Sequence, residues 1–196
     1  MKIEPVVLEN EFVRLEPLTA EHHAALCEVG LFEELWRLIP TPVDSPDTMK
    51  NYIETALDEQ RRRMGLPFTT IEKSSGKVVG STRFGNIDAK NLRAEIGWTW
   101  ITPAWQKTYV NTHAKLLMLT HAFETWKCIR VELKTDALNE QSRSAILRLG
   151  ARQEGIFRQH VICRSGRLRD TVYFSILDNE WEPVKENLLR KFGKIQ

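Results

Sequence analysis

Residues 95–115 join a strand pattern, a short polar loop and the start of a long amphipathic helix, and this segment constrains the fold most. Glu95 opens an apolar stretch that contains Trp98 and ends at Thr102-Pro103, and the polar loop begins at Gln106. A strand–loop–helix of this kind directs several backbone N–H groups and the positive end of a helix dipole at one point. The segment therefore predicts an anion site suited to phosphate or pyrophosphate.

Composition and charge are those of an ordinary globular protein. The chain has 196 residues, of which 42% are hydrophobic and 28% charged, and its formal net charge is +2. This length suits one well-buried domain, and we expect residues 1–196 to form a single one. The basic run 61–63 follows Glu54, Asp58 and Glu59, which is typical of a solvated helix face and not of a nucleic-acid surface. No apolar run approaches the roughly 18–20 residues that span a bilayer, so we expect no membrane partner.

The three cysteines predict buried free thiols. Cys27, Cys128 and Cys163 lie far apart among apolar neighbours, and no pair has the spacing of metal ligands. Such thiols are typical of a reducing compartment. The N-terminus also lacks the basic segment and apolar core of a signal peptide. We therefore expect a cytoplasmic protein without a metal site.

Hydrophobic periodicity predicts the element order β-α-α-β-β-β-α-β-α-β-β-α. The predicted strands are 11–16, 68–72, 77–84, 94–101, 129–135, 155–163 and 170–177, and the predicted helices begin at Thr19 or cover 47–63, 111–127, 139–150 and 179–193. Asn139 is expected to cap its helix and Gly150 to end it. Alternation in 129–135 turns Arg130, Glu132 and Lys134 outward. Hairpin-paired strands joined to helical crossovers imply an α/β (α+β) fold with a mixed, mostly antiparallel twisted sheet and helices on both faces.

Several segments together resemble the GCN5-related N-acetyltransferase (GNAT) superfamily, and most closely its RimJ/RimL-like branch. They occur in the family's order and spacing, and the resemblance covers about residues 10–178. The segments are 94–98, 103–106, 121–124, 129–132, 136–142 and 147–155.

The resemblance implies that strands 95–101 and 129–135 splay apart and that the pantetheine arm of acetyl-CoA lies between them like an extra strand. The pyrophosphate would bind the loop, whose family pattern is Gln/Arg-x-x-Gly-x-Gly/Ala. Gln106 matches this pattern, whereas Tyr109 and Asn111 occupy the small-residue positions. The expected cofactor contacts are Ile101, Thr102, Gln106, Lys107, Thr108, Tyr109, Val110, Asn111, Thr112, Asn139 and Ser142. A plain strand–helix turn with a cap is the alternative interpretation of the loop.

The resemblance also implies direct attack of an amine on the thioester, assisted by a carboxylate acting through water. Glu95 is the candidate base, and the alternative is a strand-end charge paired with Arg83 or Arg93. Ser142 is the candidate contact or proton donor at the thiol, or simply a serine of the first helical turn. Many relatives carry a tyrosine acid at the position that Ile146 occupies here, so this acid is absent.

Trp36, Arg83 and Trp98 are the candidate substrate-binding residues. Strand alternation places Trp98 and Trp100 on one side of the sheet. The alternative for these tryptophans is a place in the core, which is the commoner one for a strand tryptophan.

The predicted function is acyl-CoA-dependent transfer, most simply of acetyl, to a primary amine, which is either a protein N-terminus or a small molecule. Ile146 and Tyr109 motivate one alternative, a catalytically inactive acyl-CoA-binding regulatory protein. Another phosphorylated ligand at the loop is a third option. The C-terminal helix packs either on the sheet or on a second subunit, which leaves a homodimer open.

Overall fold

The computed structural model describes residues 1–192, and its framework is an eight-stranded sheet with the order β1-β2-β3-β4-β5-β6-β8-β7. The strands are β1 Leu8–Glu9, β2 Val13–Pro17, β3 Leu66–Glu72, β4 Lys77–Asp88, β5 Arg93–Ile101, β6 Arg130–Asp136, β7 Arg152–Ile162 and β8 Leu168–Leu177. Neighbouring strands are antiparallel except for β5 and β6, which are parallel. This mixed, mostly antiparallel sheet confirms the predicted fold class.

Helices cover both faces of the sheet. They are α1 His23–Gly30, α2 Glu33–Trp36, α3 Pro46–Arg61, α4 Val110–Thr120, α5 Glu140–Leu149 and α6 Trp181–Phe192. The predicted helix 111–127 is α-helical only to Thr120 and then widens into a π-helical turn, His121–Thr125. Residue 193 of the predicted C-terminal helix lies outside the described residues.

The helices contribute side chains to two separate hydrophobic cores. The larger core contains side chains of α4, α5 and α6, and the smaller one contains Leu26, Trp36, Met49, Ile53 and Ala56 from α1, α2 and α3. Trp181, Val184 and Leu188 of α6 lie in the larger core. The C-terminal helix therefore packs on the body of its own chain.

The parallel strands β5 and β6 pair only at their beginnings. Their register contains Arg93 with Arg130, Ala94 with Val131, and Glu95 with Glu132, although β5 continues to Ile101 and β6 to Asp136. Beyond Glu95 the two strands diverge, so that backbone N–H and C=O groups on both inner edges lack a strand partner. This is the predicted splay, and it opens a gap in the middle of the sheet.

A β-bulge interrupts β5 at the start of this gap. Gly97 lies opposite Arg83 and Trp100 lies opposite Ser81, so that two residues of β5 face a single residue of β4. Trp98 adopts a left-handed φ of 49° at the bulge. The extra residue reverses the alternation of side chains. Ile96 therefore lies in the larger core and Trp100 in the smaller one. The Trp98 ring lies against Arg83, which also contacts Tyr52 of α3, so both indoles lie on the α3 side as alternation predicted, although Trp98 is 38% exposed and Trp100 is buried.

The turn between β7 and β8 reaches the connection between α2 and α3. The backbone N–H of Arg164 donates to the carbonyl oxygen of Pro40 over 3.0 Å, and its guanidinium lies 3.3 Å from the Asp44 carboxylate. These two contacts join the end of the hairpin to the helices of the opposite side of the splay.

Candidate active site

The loop after β5 presents backbone donors at the N-terminus of α4. A 3-10 turn, Pro103–Trp105, leads into Lys107, which has a left-handed φ of 59° and is exposed. Tyr109 is the N-cap residue of α4, and its side chain makes no capping hydrogen bond. The first N–H groups of an α-helix have no partner within the helix. Apart from the N–H of Val110, which donates to Oγ1 of Thr108 over 3.4 Å, they remain available to an anion at this end of α4.

The Tyr109 side chain turns away from these donors. Its hydroxyl donates to Oε1 of Glu72 over 2.8 Å, and its ring packs 5.6 Å from that of Phe12. Burial acts to raise the pKa of Glu72, but hydrogen bonds from Ser75, Ser74 and Tyr109 lower it to about 2. The hydroxyl of Tyr109, an expected cofactor contact, is thus bound to Glu72. An aromatic side chain can occupy this glycine position of the family pattern because the ring lies outside the loop.

Gln106 shapes the loop through both ends of its amide. Its Nε2 donates to the carbonyl oxygen of Ile101 over 3.0 Å, and its Oε1 accepts from Nε2 of Gln141 over 3.3 Å. Gln106 therefore connects the end of β5 to the first turn of α5.

The other predicted cofactor-binding residues of the loop differ in how deeply they are buried. Ile101, Thr102 and Val110 are buried, and the N–H of Thr102 donates to the carbonyl oxygen of Val79. Thr108 is exposed, Thr112 is partly buried, and Oδ1 of Asn111 is a buried atom without a hydrogen-bond partner among the described residues. Backbone groups of the loop are accordingly the main donors on offer.

Asn139 is the N-cap of α5, as predicted. Its Oδ1 accepts from the N–H of Ser142 over 2.9 Å, which occupies the oxygen and leaves the side-chain NH₂ group to donate elsewhere. Ser142 lies one turn further and is partly buried. The contact between Gln141 and Gln106 brings this helix start beside the loop, so the end of β5, the loop and α5 converge.

Glu95 is buried at the point where the splay begins. Its Oε2 accepts from Nδ2 of Asn86 over 2.7 Å and lies 2.8 Å from Nζ of Lys134. A Cβ placed on Gly97 would lie 3.2 Å from Oε1, so this second oxygen lies beside Gly97, where β5 no longer pairs with β6. Within residues 1–192, Oε1 has no hydrogen-bond donor. The carboxylate is thus held by one oxygen and available at the other.

The predicted partners of Glu95 were wrong. Arg83 pairs with Glu59 over 2.9 Å, and Arg93 pairs with Asp88 over 3.3 Å. Lys134 reaches Glu95 instead because the parallel register sets Glu95 beside Glu132, and Lys134 follows on the same face of β6. Burial acts to lower the pKa of Lys134, but the hydrogen bond and charge of Glu95 raise it overall. Alternation showed that Lys134 points outward, but only the strand register shows what it meets.

Comparison with known proteins identifies the family that has this fold. Residues 13–152 match the family described as acetyltransferase (GNAT) domain. The chain belongs to the GNAT family. It is 32% identical over 145 residues to YdaF of Bacillus subtilis, which is named as a ribosomal N-acetyltransferase, and the match covers 72% of this chain and 78% of YdaF.

Solved GNAT structures share the whole fold. A GCN5-related N-acetyltransferase from Brucella melitensis is 33% identical, with a TM-score of 0.89 over 97% of this chain and 86% of that one. Mycobacterium smegmatis RimJ in complex with CoA-disulfide is 21% identical and has the same fold, with a TM-score of 0.81 over 95% of each chain. These relatives support an N-acetyltransferase of the RimJ/RimL-like kind.

The three predicted substrate-binding residues differ in how far their side chains are exposed beside the splay. Trp36 is 4% exposed, and its indole N–H donates to the carbonyl oxygen of Gly30, so it belongs to the smaller core. The Arg83 guanidinium is buried, with its carbon 5.0 Å from the ring centres of both Tyr52 and Trp98. Trp98 alone of the three presents a ring to solvent, and Arg83 supports it from behind.

The position of the family's tyrosine acid is filled by a core residue. Ile146 is 7% exposed and packs in the larger core. Among residues 1–192, no group of three or more His, Cys, Asp or Glu side chains has the arrangement of a metal site. No helix in that part of the chain is long and apolar enough to cross a membrane.

Proposed function

We propose that this GNAT protein transfers an acyl group, most simply acetyl, from acyl-CoA to a primary amine. The observation that carries the proposal is the position of Glu95, whose Oε2 is held by Asn86 and Lys134 while Oε1 lies beside Gly97 at the start of the splay. A carboxylate that is oriented, yet open on one side, suits proton removal from an amine through water.

The loop and the splay suit an acyl-CoA. Backbone N–H groups at the start of α4 would bind the pyrophosphate, and the exposed Lys107 would add a positive charge. The unpaired edges of β5 and β6 would pair with the amide groups of the pantetheine arm. The Asn139 NH₂ group, at the start of α5, would donate to the same arm. RimJ of M. smegmatis, which shares the fold, was crystallised in complex with CoA-disulfide.

The chain's own groups account for the steps around the thioester. A lysine-like acceptor has a pKa of about 10.4 and arrives protonated, so Glu95 would take its proton through a water molecule. A backbone N–H of residues 97–101 would stabilise the oxyanion. Ser142, on the first turn of α5, would be the donor for the leaving thiolate, since Ile146 cannot donate a proton.

The acceptor is a protein N-terminus or a small amine. The name of YdaF, a ribosomal N-acetyltransferase, favours a protein amine. Trp98 would form an apolar wall beside that amine. A cytoplasmic location and a homodimer also remain predictions, and the free Cys27, Cys128 and Cys163 agree with a reducing compartment.

The test is turnover with a matched pair of variants. The protein is incubated with acetyl-CoA and a panel of peptides and small amines, and release of free thiol is followed. We expect Glu95→Gln to lower kcat by about 100-fold or more, because a positioned general base contributes on that order. Glu132→Gln removes a neighbouring carboxylate of the same face and should retain most of the activity.

The outcomes separate the alternatives. Equal loss in both variants would contradict the assignment of Glu95 as the base. Tight CoA binding without turnover on any acceptor would favour the regulatory protein. If CoA does not stabilise the protein in a thermal-shift assay, both the acyltransferase and the regulatory acyl-CoA-binding protein are contradicted. Binding of another phosphorylated ligand at the loop would then be the remaining alternative.

A further inference from the structure

Lys115 is a buried lysine in α4 that the proposed chemistry does not use. It is 5% exposed, and its Nζ donates to Oγ1 of Thr99 over 2.6 Å and to Oγ1 of Thr82 over 3.0 Å. The two threonine hydroxyls are themselves 2.7 Å apart. Within residues 1–192 Lys115 forms no ion pair, and burial lowers its pKa to about 7. Near neutral pH much of it is therefore an uncharged amine, which is less costly to bury than an ammonium.

The three polar groups lie directly on the bulge of β5. Thr82 is the residue of β4 that faces the bulge, and Thr99 is the second residue of β5 within it. The Thr99 hydroxyl also reaches the carbonyl oxygen of Gly97 over 3.3 Å, which spans the bulge from one side to the other. Lys115 thus connects α4, whose start carries the donors of the loop, to the irregular part of the strand.

The opposite face of the bulge is held as well. The Trp98 ring lies so close to Gly85 that a Cβ there would be 2.3 Å from it, and Arg83 stacks on the same ring. A non-glycine residue with a left-handed φ, such as Trp98, is strained and persists only where its surroundings hold it. Groups on both faces of the sheet therefore fix one strained peptide next to Glu95.

We propose that Lys115 is a positioning residue that acts through Thr99 to keep the β5 bulge in the shape that receives the acyl thioester. This inference rests on the proposed function, because that function places the thioester beside residues 97–99. The bulge sets the direction of the backbone N–H groups that would meet the oxyanion. Loosening it should impair the chemical step more than the binding of either substrate.

Two threonine variants provide a matched comparison with Lys115→Met. Thr99→Val removes the hydroxyl that links Lys115 to Gly97, whereas Thr82→Val removes the other, more deeply buried contact of Lys115 but leaves that link intact. We expect Lys115→Met and Thr99→Val to lower kcat by about tenfold or more, with the acceptor KM and CoA affinity changed by less than about threefold. Thr82→Val should keep kcat within about threefold of the parent.

Hydrogen exchange of residues 96–101 without substrate gives a readout independent of activity. It should accelerate in Lys115→Met and Thr99→Val and stay near the parent rate in Thr82→Val. A folded Lys115→Met protein with parental kcat and exchange would overturn the inference, and so would equal losses in the two threonine variants. If Lys115→Met does not fold, the comparison of Thr99→Val with Thr82→Val still tests the inference. If the parent itself turns over no acceptor, the proposed function fails, and the exchange rates alone test the role of Lys115.

Discussion

Tyr109 shows how a bulky residue can occupy a position where relatives have glycine. Its backbone is right-handed helical, with φ −66° and ψ −23°, and the left-handed conformation falls on Lys107 instead. The ring is drawn away from the loop because Glu72, at the end of β3, accepts its hydrogen bond. The donors at the start of α4 are therefore not covered by the substitution.

The link between Tyr109 and Glu72 predicts a stability effect without a binding effect. We expect Tyr109→Phe to lower the free energy of unfolding by roughly 1–3 kcal/mol, since a hydrogen bond to a charged group is lost. CoA affinity should be unchanged. Urea unfolding and calorimetric titration measure the two quantities. A large loss of CoA affinity would show that the hydroxyl contacts the ligand after all.

The same variant has a predictable pH dependence. The folded-state pKa of Glu72 is about 2, below its ordinary value of 4.5, so its contribution to stability is present above pH 4.5 and is lost as the pH falls toward 2. Because Tyr109 helps to depress that pKa, the stability difference between Tyr109→Phe and the parent should shrink over this interval. A difference that stays constant to acid pH would contradict this account.

At the scale of elements, the signals of helix ends were readable and the strand register was not. Asn139 caps α5 and Gly150 ends it with φ 104°, as the pattern predicted, because caps are set by neighbouring residues. The bulge at Trp98 inserts one residue without a local signal, and it reverses the side chains that follow. The partner of Glu95 was missed for the same reason, since Lys134 lies on another strand.

Asn139 offers a way to separate capping from ligand binding. Asn139→Asp keeps an oxygen for the cap but loses the NH₂ donor, whereas Asn139→Ala loses both. We expect Asn139→Ala to lower the free energy of unfolding by about 1 kcal/mol and Asn139→Asp to leave it nearly unchanged. Both variants should bind CoA more weakly in a calorimetric titration. Parental affinity in Asn139→Asp would reduce Asn139 to a helix cap.

At the scale of the molecule, the sheet contains a gap whose backbone groups a ligand would satisfy. The order of elements and the resemblance were enough to predict this gap between β5 and β6. Long-range contacts that assemble the site could not be predicted, among them Lys115 with Thr99 and Gln106 with Gln141, because each depends on how two separate elements pack.

Filling the gap should stabilise the whole fold. At a CoA concentration of 100 times Kd, the free energy of unfolding should rise by about 2.7 kcal/mol. Hydrogen exchange should slow in residues 97–101, 106–112 and 133–136, while the edge strand β7 serves as the internal control. Uniform slowing along the chain, or slowing confined to β7, would contradict binding in the splay.

The contacts of Arg164 with Pro40 and Asp44 would bound the acceptor side of the proposed active site. The β7–β8 turn and the α2–α3 connection meet at these contacts. If the acceptor enters on this side, the middle of a long polypeptide would have to break these contacts, whereas a chain terminus or a small amine would not. We therefore expect internal lysines of folded proteins to be poor acceptors and free ends to be good ones.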